Sequence, residues 1–231
     1  EEHRAIIENQ IRPEFETLKA KVKSERLLHP KVVYGYFPCQ SDGNDLIIYD
    51  ADDWAQRLPQ ETRKAKEVAR FVFPRQTADR FLCISDYFAS IGSGRMDVVA
   101  FHMVTMGEVA SSHAKTLFDA NDYKEYLYFH GLGVECAEAL AEMWHKHIRT
   151  ELGIVHNDAP NIKKLFSQGY QGSRFSFGYP ACPNLEDHKK LFALLRPERI
   201  GVTMTEEFML HPEQSTDAII VHHPEAKYFK V

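Results

Sequence analysis

The chain has 231 residues, room for one large domain or two small ones, and its 44% hydrophobic and 12% aromatic content supplies a packed core and argues against disorder. Its net charge of −5 leaves no basic surplus, so nucleic acid is not expected as a partner. Four scattered cysteines (Cys39, Cys83, Cys136 and Cys182) read as reduced thiols, and neither a signal peptide nor an apolar run near the ~20 residues of a membrane span is present, so the expected setting is cytoplasmic, with no membrane partner.

Residues 2–28 read as an amphipathic helix, with Ile6, Ile7, Ile11, Phe15, Leu18 and Val22 at three- and four-residue steps. Pro13 should kink it or mark a helix start, and His29-Pro30 ends it. Lys19, Lys21, Lys23 and Arg26 alternate with Glu14, Glu16 and Glu25, as on a solvated face. Residues 32–39 and 46–49, β-branched and aromatic, flank the turn-forming Ser41-Asp42-Gly43-Asn44-Asp45 and predict a hairpin. Residues 68–73 predict a strand closed by Pro74, and the nearly continuous apolar run 97–106 predicts a buried one. Helices are expected at 108–119 and 123–149. The second takes Leu127, Val134, Leu140, Ala141, Trp144 and Ile148 as its apolar face, and Gly131 and Gly133 each weaken it by about 1 kcal/mol relative to Ala. A short helix is expected at 184–195 with Asn184 as its N-cap. From Glu207 onward the pattern is of strands joined by turns at His211-Pro212 and His223-Pro224, the last of them at 227–230. Runs of strands and runs of helices, without strict βαβ alternation, predict an α+β fold with a largely antiparallel sheet. No G-x-G-x-x-G follows a strand, so a Rossmann-type nucleotide site is not indicated.

The densest candidate site is Tyr170-Gln171-Gly172-Ser173-Arg174-Phe175-Ser176-Phe177-Gly178-Tyr179-Pro180-Ala181-Cys182-Pro183. Gly172 and Gly178 permit positive φ or close approach of backbone to a ligand. Arg174 suits bidentate capture of a carboxylate, and the aromatic faces attract a cation such as a sulfonium. The same residues also read as a surface loop with packed aromatics and a solvated arginine. On the long helix, Glu135, Glu138, Glu142 and His145 recur at three- and four-residue steps. Glu142-x-x-His145 resembles half of a di-iron motif, but no second E-x-x-H helix accompanies it, so a solvated acidic stripe is expected. None of the twelve histidines has the spacing of a metal pair such as H-E-x-x-H, and there is no G-x-S-x-G elbow, no Walker loop and no base that can be named for Cys182.

Arg174 through Pro183 reads R-F-S-F-G-Y-P-A-C-P. Together with Tyr170-Gln171-Gly172, His223-Pro224-Glu225-Ala226-Lys227-Tyr228-Phe229, the hairpin carrying Tyr36-Phe37-Pro38 and Asp45, Ile48 and Tyr49, and Phe73-Pro74-Arg75-Gln76, it resembles the AdoMet-binding reactivation domain of cobalamin-dependent methionine synthase. The likeness runs along nearly the whole chain in the family's order. It implies a single domain over 1–231, cut from a longer polypeptide whose homocysteine, folate and cobalamin modules lie upstream. It implies binding of S-adenosyl-L-methionine (AdoMet) and support for reductive methylation of inactive cob(II)alamin to methylcobalamin. By position, Arg174 is expected to hold AdoMet, Ser176, Gly178 and Tyr179 to line the same site, and Tyr228 and Phe229 to close it. Neighbours on a strand face opposite ways, so Tyr228 is the one expected to reach ligand. The implied partners are the cobalamin-binding domain of the same polypeptide and a flavodoxin or flavodoxin-like reductase, and the acidic face of the long helix is a candidate surface toward the cobalamin module. No catalytic residue is expected, because a cobalt(I) nucleophile attacking a sulfonium methyl needs positioning and no general base. The sequence departs from the family pattern in lacking its upstream I-D-W-type segment with an aspartate and its helices after the last strand, and it carries no cobalamin-binding D-x-H-x-x-G. Two other classes remain open, a stand-alone AdoMet-sensing module and a His/Glu metal-dependent hydrolase.

Overall fold

A computed structural model of the chain describes residues 2–56 and 65–231. The N-terminal helix runs as α1 (Glu2–Ile6), a π-helical turn (Ile7–Ile11) and α2 (Arg12–Ser24). Pro13 falls in the first turn of α2, just after the π-helical turn, where its ring and missing N–H are tolerated, in keeping with its expected place at a helix start. The predicted hairpin is β1 (Lys31–Asp42) and β2 (Asp45–Tyr49), closed by Gly43-Asn44 with Asp42 opposite Asp45. The β1–β2 ladder starts at Cys39, so Pro38 sits at its end, where a strand tolerates proline. Then follow α3 (Ala51–Ala55), capped by the Asp50 carboxylate, β3 (Glu67–Val72), β4 (Asp97–Thr105), α4 (Glu108–Asp119) and α5 (Tyr123–Glu151). The remainder holds α6 (Ile162–Phe166), β5 (Ser173–Phe175), α7 (His188–Leu195), β6 (Thr203–Met204), β7 (Leu210–His211) and β8 (Ser215–Val221).

Among the described residues six strands make one antiparallel sheet in the order β3-β2-β1-β4-β8-β5, and β6 pairs with β7. The architecture is therefore the α+β class that the element order predicts. Strands β4 and β8 are buried on both faces, which is why 97–106 reads as a continuous apolar run rather than an alternating one. Val99, Phe101 and Met103 of β4 and Ile219 and Val221 of β8 pack with Phe71, Phe175, Leu191 and Leu195 on one side. Ala100, Ala218 and Ile220 face Ile148, Trp144 and Leu152 of the α5 side, while Val104, Ala110, Phe129, Ala137 and Ala141 fill the space between α4, α5 and the sheet.

Two expectations are corrected. Leu127 and Val134 are exposed (63% and 37%), and the stripe that α5 buries is Phe129, Gly133, Ala137, Ala141, His145 and Ile148. Leu140, Ala141, Trp144 and Ile148 do pack against the core as expected, and the small residues at 133, 137 and 141 let the helix lie close to the sheet, where a Cβ at Gly133 would meet the Gln214 side chain at 2.9 Å. Residues 227–230 join no ladder. Their backbone is held by side chains instead: Gln76 Nε2 donates to the Lys230 carbonyl at 2.7 Å, and the Tyr228 N–H donates to Gln168 Oε1 at 3.2 Å.

Candidate functional site

Strand alternation aims the central arginine. Arg174 pairs with Ile220 in the β5–β8 ladder, and Ile220 faces α5, so Arg174 does too, while its neighbour Phe175 enters the opposite core. On α5, Glu138 and Glu142 are one turn apart and share a stripe. Arg174 Nη2 reaches Glu138 Oε2 and Nε reaches Glu142 Oε1, both at 2.6 Å. The arginine side chain is only 16% exposed, so it is not a solvated loop residue, and the acidic stripe is not merely solvated. Burial opposes the guanidinium charge, but the two carboxylates outweigh it and hold the Arg174 pKa above its ordinary value. The half-motif Glu142-x-x-His145 comes apart: His145 turns into the core, fully buried, with an edge contact to Tyr170 at 5.1 Å. Burial lowers the pKa of His145 and that of His102, the latter to about 3, so both are neutral behind the charged layer. Among the described residues no group of three or more His, Cys, Asp or Glu side chains comes together as a metal site.

The three sequence segments that carry the family likeness near the site are tied to one another. Lys227 Nζ donates to the carbonyls of Gln168 and Tyr170 (2.7 and 2.8 Å), and Gln171 Nε2 donates to the His222 carbonyl (2.9 Å). Phe175 stacks on Tyr228 (5.9 Å between centroids) and meets Phe229 edge-on (5.5 Å). Gly172 needs its positive φ (+88°), and a Cβ there would come within 2.4 Å of the Val221 carbonyl oxygen. Gly178 (φ +89°) opens the turn closed by the Gly178 N–H to the Cys182 carbonyl and by the Cys182 N–H to the Tyr179 carbonyl, both 2.9 Å. The Cys182 thiol is buried, donates to the Ser176 carbonyl (3.0 Å), and is pushed up in pKa by burial, so it is a packed donor and not a nucleophile.

These elements enclose a cavity of about 480 Å³. Arg174, Glu138 and Glu142 supply its charges. Ser176 and Gln168 are polar lining, Leu165 and Phe166 are apolar, and Tyr170, Tyr179 and Tyr228 are aromatic walls. Tyr228 and Tyr179, about fifty residues apart in the chain, thus face the same space. Gly178 and Phe229 do not line it; Phe229 is 8% exposed and packs behind Tyr228 in the core. A second hollow of about 580 Å³ adjoins it through Glu138, Glu142, Leu165, Phe166 and Tyr170. Tyr170 is itself anchored from below, with the Arg149 guanidinium 4.1 Å from its ring centroid and Arg149 paired with Asp158 at 2.7 Å, both nearly buried. Glu138 and Glu142, which the sequence offers only as part of an acidic stripe, meet Arg174 here; nothing local in the sequence pairs them with it.

The cavity thus holds a cation between two carboxylates among aromatic walls, framed by an R-x-x-x-G-Y turn and a K-Y-F segment. The chain matches the family described as vitamin B12 dependent methionine synthase, activation domain, over residues 8–231, and it belongs to that family. It is similar to the methionine synthase of Mycobacterium tuberculosis (strain ATCC 25618 / H37Rv), 46% identical over 98% of this chain and 19% of the relative. It is equally similar (46%) to the methionine synthase of Mycobacterium leprae (strain TN), over 89% of this chain and 17% of that one. The chain thus spans about a fifth of the length of the curated relatives it matches. Among solved structures it resembles a crystal structure of the MetH reactivation domain bound to AdoHcy, with a TM-score of 0.84 and 26% identity, covering 97% of this chain and 70% of that one.

Proposed function

We propose that this chain binds AdoMet in the Arg174 cavity and, within a longer methionine synthase polypeptide, supports reductive methylation of cob(II)alamin to methylcobalamin. The observation that supports this most directly is the charge pattern. An α-amino acid carboxylate needs a guanidinium, its ammonium needs a carboxylate, and a sulfonium favours aromatic faces; Arg174, Glu138 with Glu142, and Tyr179 with Tyr228 offer these in one cavity. Arg174 is engaged by both glutamates, so an incoming carboxylate takes the place of one of them, and the released glutamate is free to meet the ligand's ammonium. Ser176 contributes polar lining, while Gly178 and Phe229 shape the wall from behind. The relative bound to AdoHcy carries the same family fold, which fits this reading.

Cobalamin, carried by a neighbouring domain of the same polypeptide, supplies the nucleophile that accepts the methyl group, and a flavodoxin or flavodoxin-like reductase supplies the electron. The residues of this chain then act by holding the sulfonium in place, since no proton needs to move at the methyl carbon. Among the described residues no helix is long and apolar enough to cross a membrane, in keeping with work in the cytoplasm. The test is calorimetric titration with AdoMet: Arg174→Ala should lose roughly 30-fold or more in affinity, the scale of about 2–5 kcal/mol for a lost charge-assisted bidentate contact, and an affinity within about threefold of the parent overturns the assignment.

A further inference from the structure

Behind the Arg174 turn lies a buried acid–base pair that the reading of the cavity does not use. Asp217 on β8 is 2% exposed and His188, the first residue of α7, is 3% exposed. The β5–β8 ladder ends at Phe175 opposite Ile219. Continuing that register would set Phe177 opposite Asp217, but the chain leaves the sheet there to make the turn at Gly178. The missing rung is supplied by a side chain, as the Phe177 N–H donates to Asp217 Oδ1 at 3.1 Å. The other carboxylate oxygen, Oδ2, lies 2.7 Å from His188 Nε2, off the ideal hydrogen-bond line, and neither atom has another partner among the described residues. His188 Nδ1 is 2.6 Å from the Phe208 carbonyl oxygen, which can only accept. Nδ1 must therefore carry a hydrogen, and the short Nε2–Oδ2 contact needs a second one between two atoms that would otherwise oppose lone pair to lone pair.

We propose that His188 and Asp217 share one proton and are positioning residues for the Arg174–Tyr179 turn, so that ligand binding in the cavity is coupled to that proton. This rests on the reading of the Arg174 cavity as the AdoMet site. With the proton present, Asp217 is held by His188 and in turn holds the Phe177 N–H, three residues from Arg174 and two from Tyr179. Without it, Nε2 and Oδ2 repel, and the carboxylate that anchors the turn is pushed away. The charged and titratable neighbours do not take over this role. Asp187 is bound by Lys190 Nζ at 2.6 Å, Lys189 lies over the outer Phe208 ring at 4.3 Å, and the Cys182 thiol is spent on Ser176. Burial disfavours the His188 charge, but Asp217 and the Phe208 carbonyl outweigh it and raise its pKa above the ordinary value. The sign follows: the turn is set below that raised pKa and loosens as pH climbs through it.

Asp217→Asn separates the proton from the geometry. Asn Oδ1 can still accept from Phe177, and its Nδ2–H can donate to a neutral His188 Nε2, so every polar atom keeps a partner with no shared proton. The experiment measures affinity of the 1–231 chain for AdoHcy between about pH 6 and about pH 9 in both proteins, together with the histidine Cε1–H resonance of His188 against pH, with and without AdoHcy. The ligand's own amine titrates identically against both chains and cancels in the ratio. The expected result is that the unmutated chain loses affinity relative to Asp217→Asn as pH rises, by about tenfold for each unit that AdoHcy raises the His188 pKa, because the coupling is reciprocal. A ratio constant across the range, or a His188 titration that AdoHcy does not shift, overturns the proposal; the second readout needs no variant and stands even if Asp217→Asn fails to fold. Absence of AdoHcy binding to the unmutated chain overturns the site reading and this proposal with it, and is recognised because no substitution is involved.

Discussion

Removing the Asp158 carboxylate should destabilise the chain far more than removing any surface acid. Arg149 and Asp158 are 3% and 8% exposed, and the pair is bidentate, with Nε to Oδ1 at 2.9 Å and Nη2 to Oδ2 at 2.7 Å. Among the described residues Arg149 Nη1 has no hydrogen-bond partner, so the guanidinium depends on this one carboxylate. In Asp158→Ala the charge stays buried and uncompensated, which costs about 3–5 kcal/mol. For a chain of this size that is a fall in melting temperature of roughly 6–20 °C. Urea unfolding read by fluorescence and by circular dichroism measures it, with the double variant Arg149→Met/Asp158→Leu as the control. Replacing both charges by apolar groups should recover most of the loss, because the desolvation penalty goes with the pair. A cost under about 1 kcal/mol for Asp158→Ala, the value of an exposed pair, would refute the claim that this ion pair is buried and holds Tyr170 from beneath.

Gly172→Ala should destabilise by more than about 2 kcal/mol in thermal melts, since both the positive φ and the Val221 carbonyl oppose a Cβ, whereas Gly131→Ala, with nothing within 4 Å and a helical backbone, should stabilise by about 0.5–1 kcal/mol; equal effects would contradict the backbone described. At Asp97, burial alone would raise the pKa, but His222 and the Ala89 and Val98 N–H groups outweigh it and hold the carboxyl below its ordinary 3.8. That stability is complete above the unfolded-state pKa and is lost as pH falls through the lowered folded value, so unfolding free energy between about pH 5 and pH 2 should drop more steeply for the parent than for Asp97→Asn; parallel curves would show that Asp97 contributes nothing there.

Much of the fold is legible in local pattern. The hairpin at Gly43-Asn44, the strand at 97–105, the helix at 108–119 and the Asn184 cap all follow from periodicity and turn chemistry. The α5 face is legible only in part, because hydrophobicity finds Ala141 and Ile148 but also marks the exposed Leu127 and Val134, whereas close packing on the sheet selects Gly133 and Ala137 as well. Nor is the last segment, whose strand-like residues 227–230 join no sheet edge and bind side chains instead.

The candidate site divides in the same way. Which residue types form it was set by the sequence alone. One arginine between two glycines of positive φ, a following G-Y-P-A-C-P turn and a late K-Y-F segment are local chemistry that survives any arrangement of the rest. What they meet was decided by tertiary structure. Alternation along a three-residue strand turns Arg174 toward α5, and helix packing brings Glu138 and Glu142, more than thirty residues earlier, within 2.6 Å of it. The strand-to-turn departure after Phe175 calls on Asp217, forty residues later, to replace a lost rung. Such contacts depend on register and helix rotation, which are settled by packing the whole core and leave no trace in the spacing of the residues themselves.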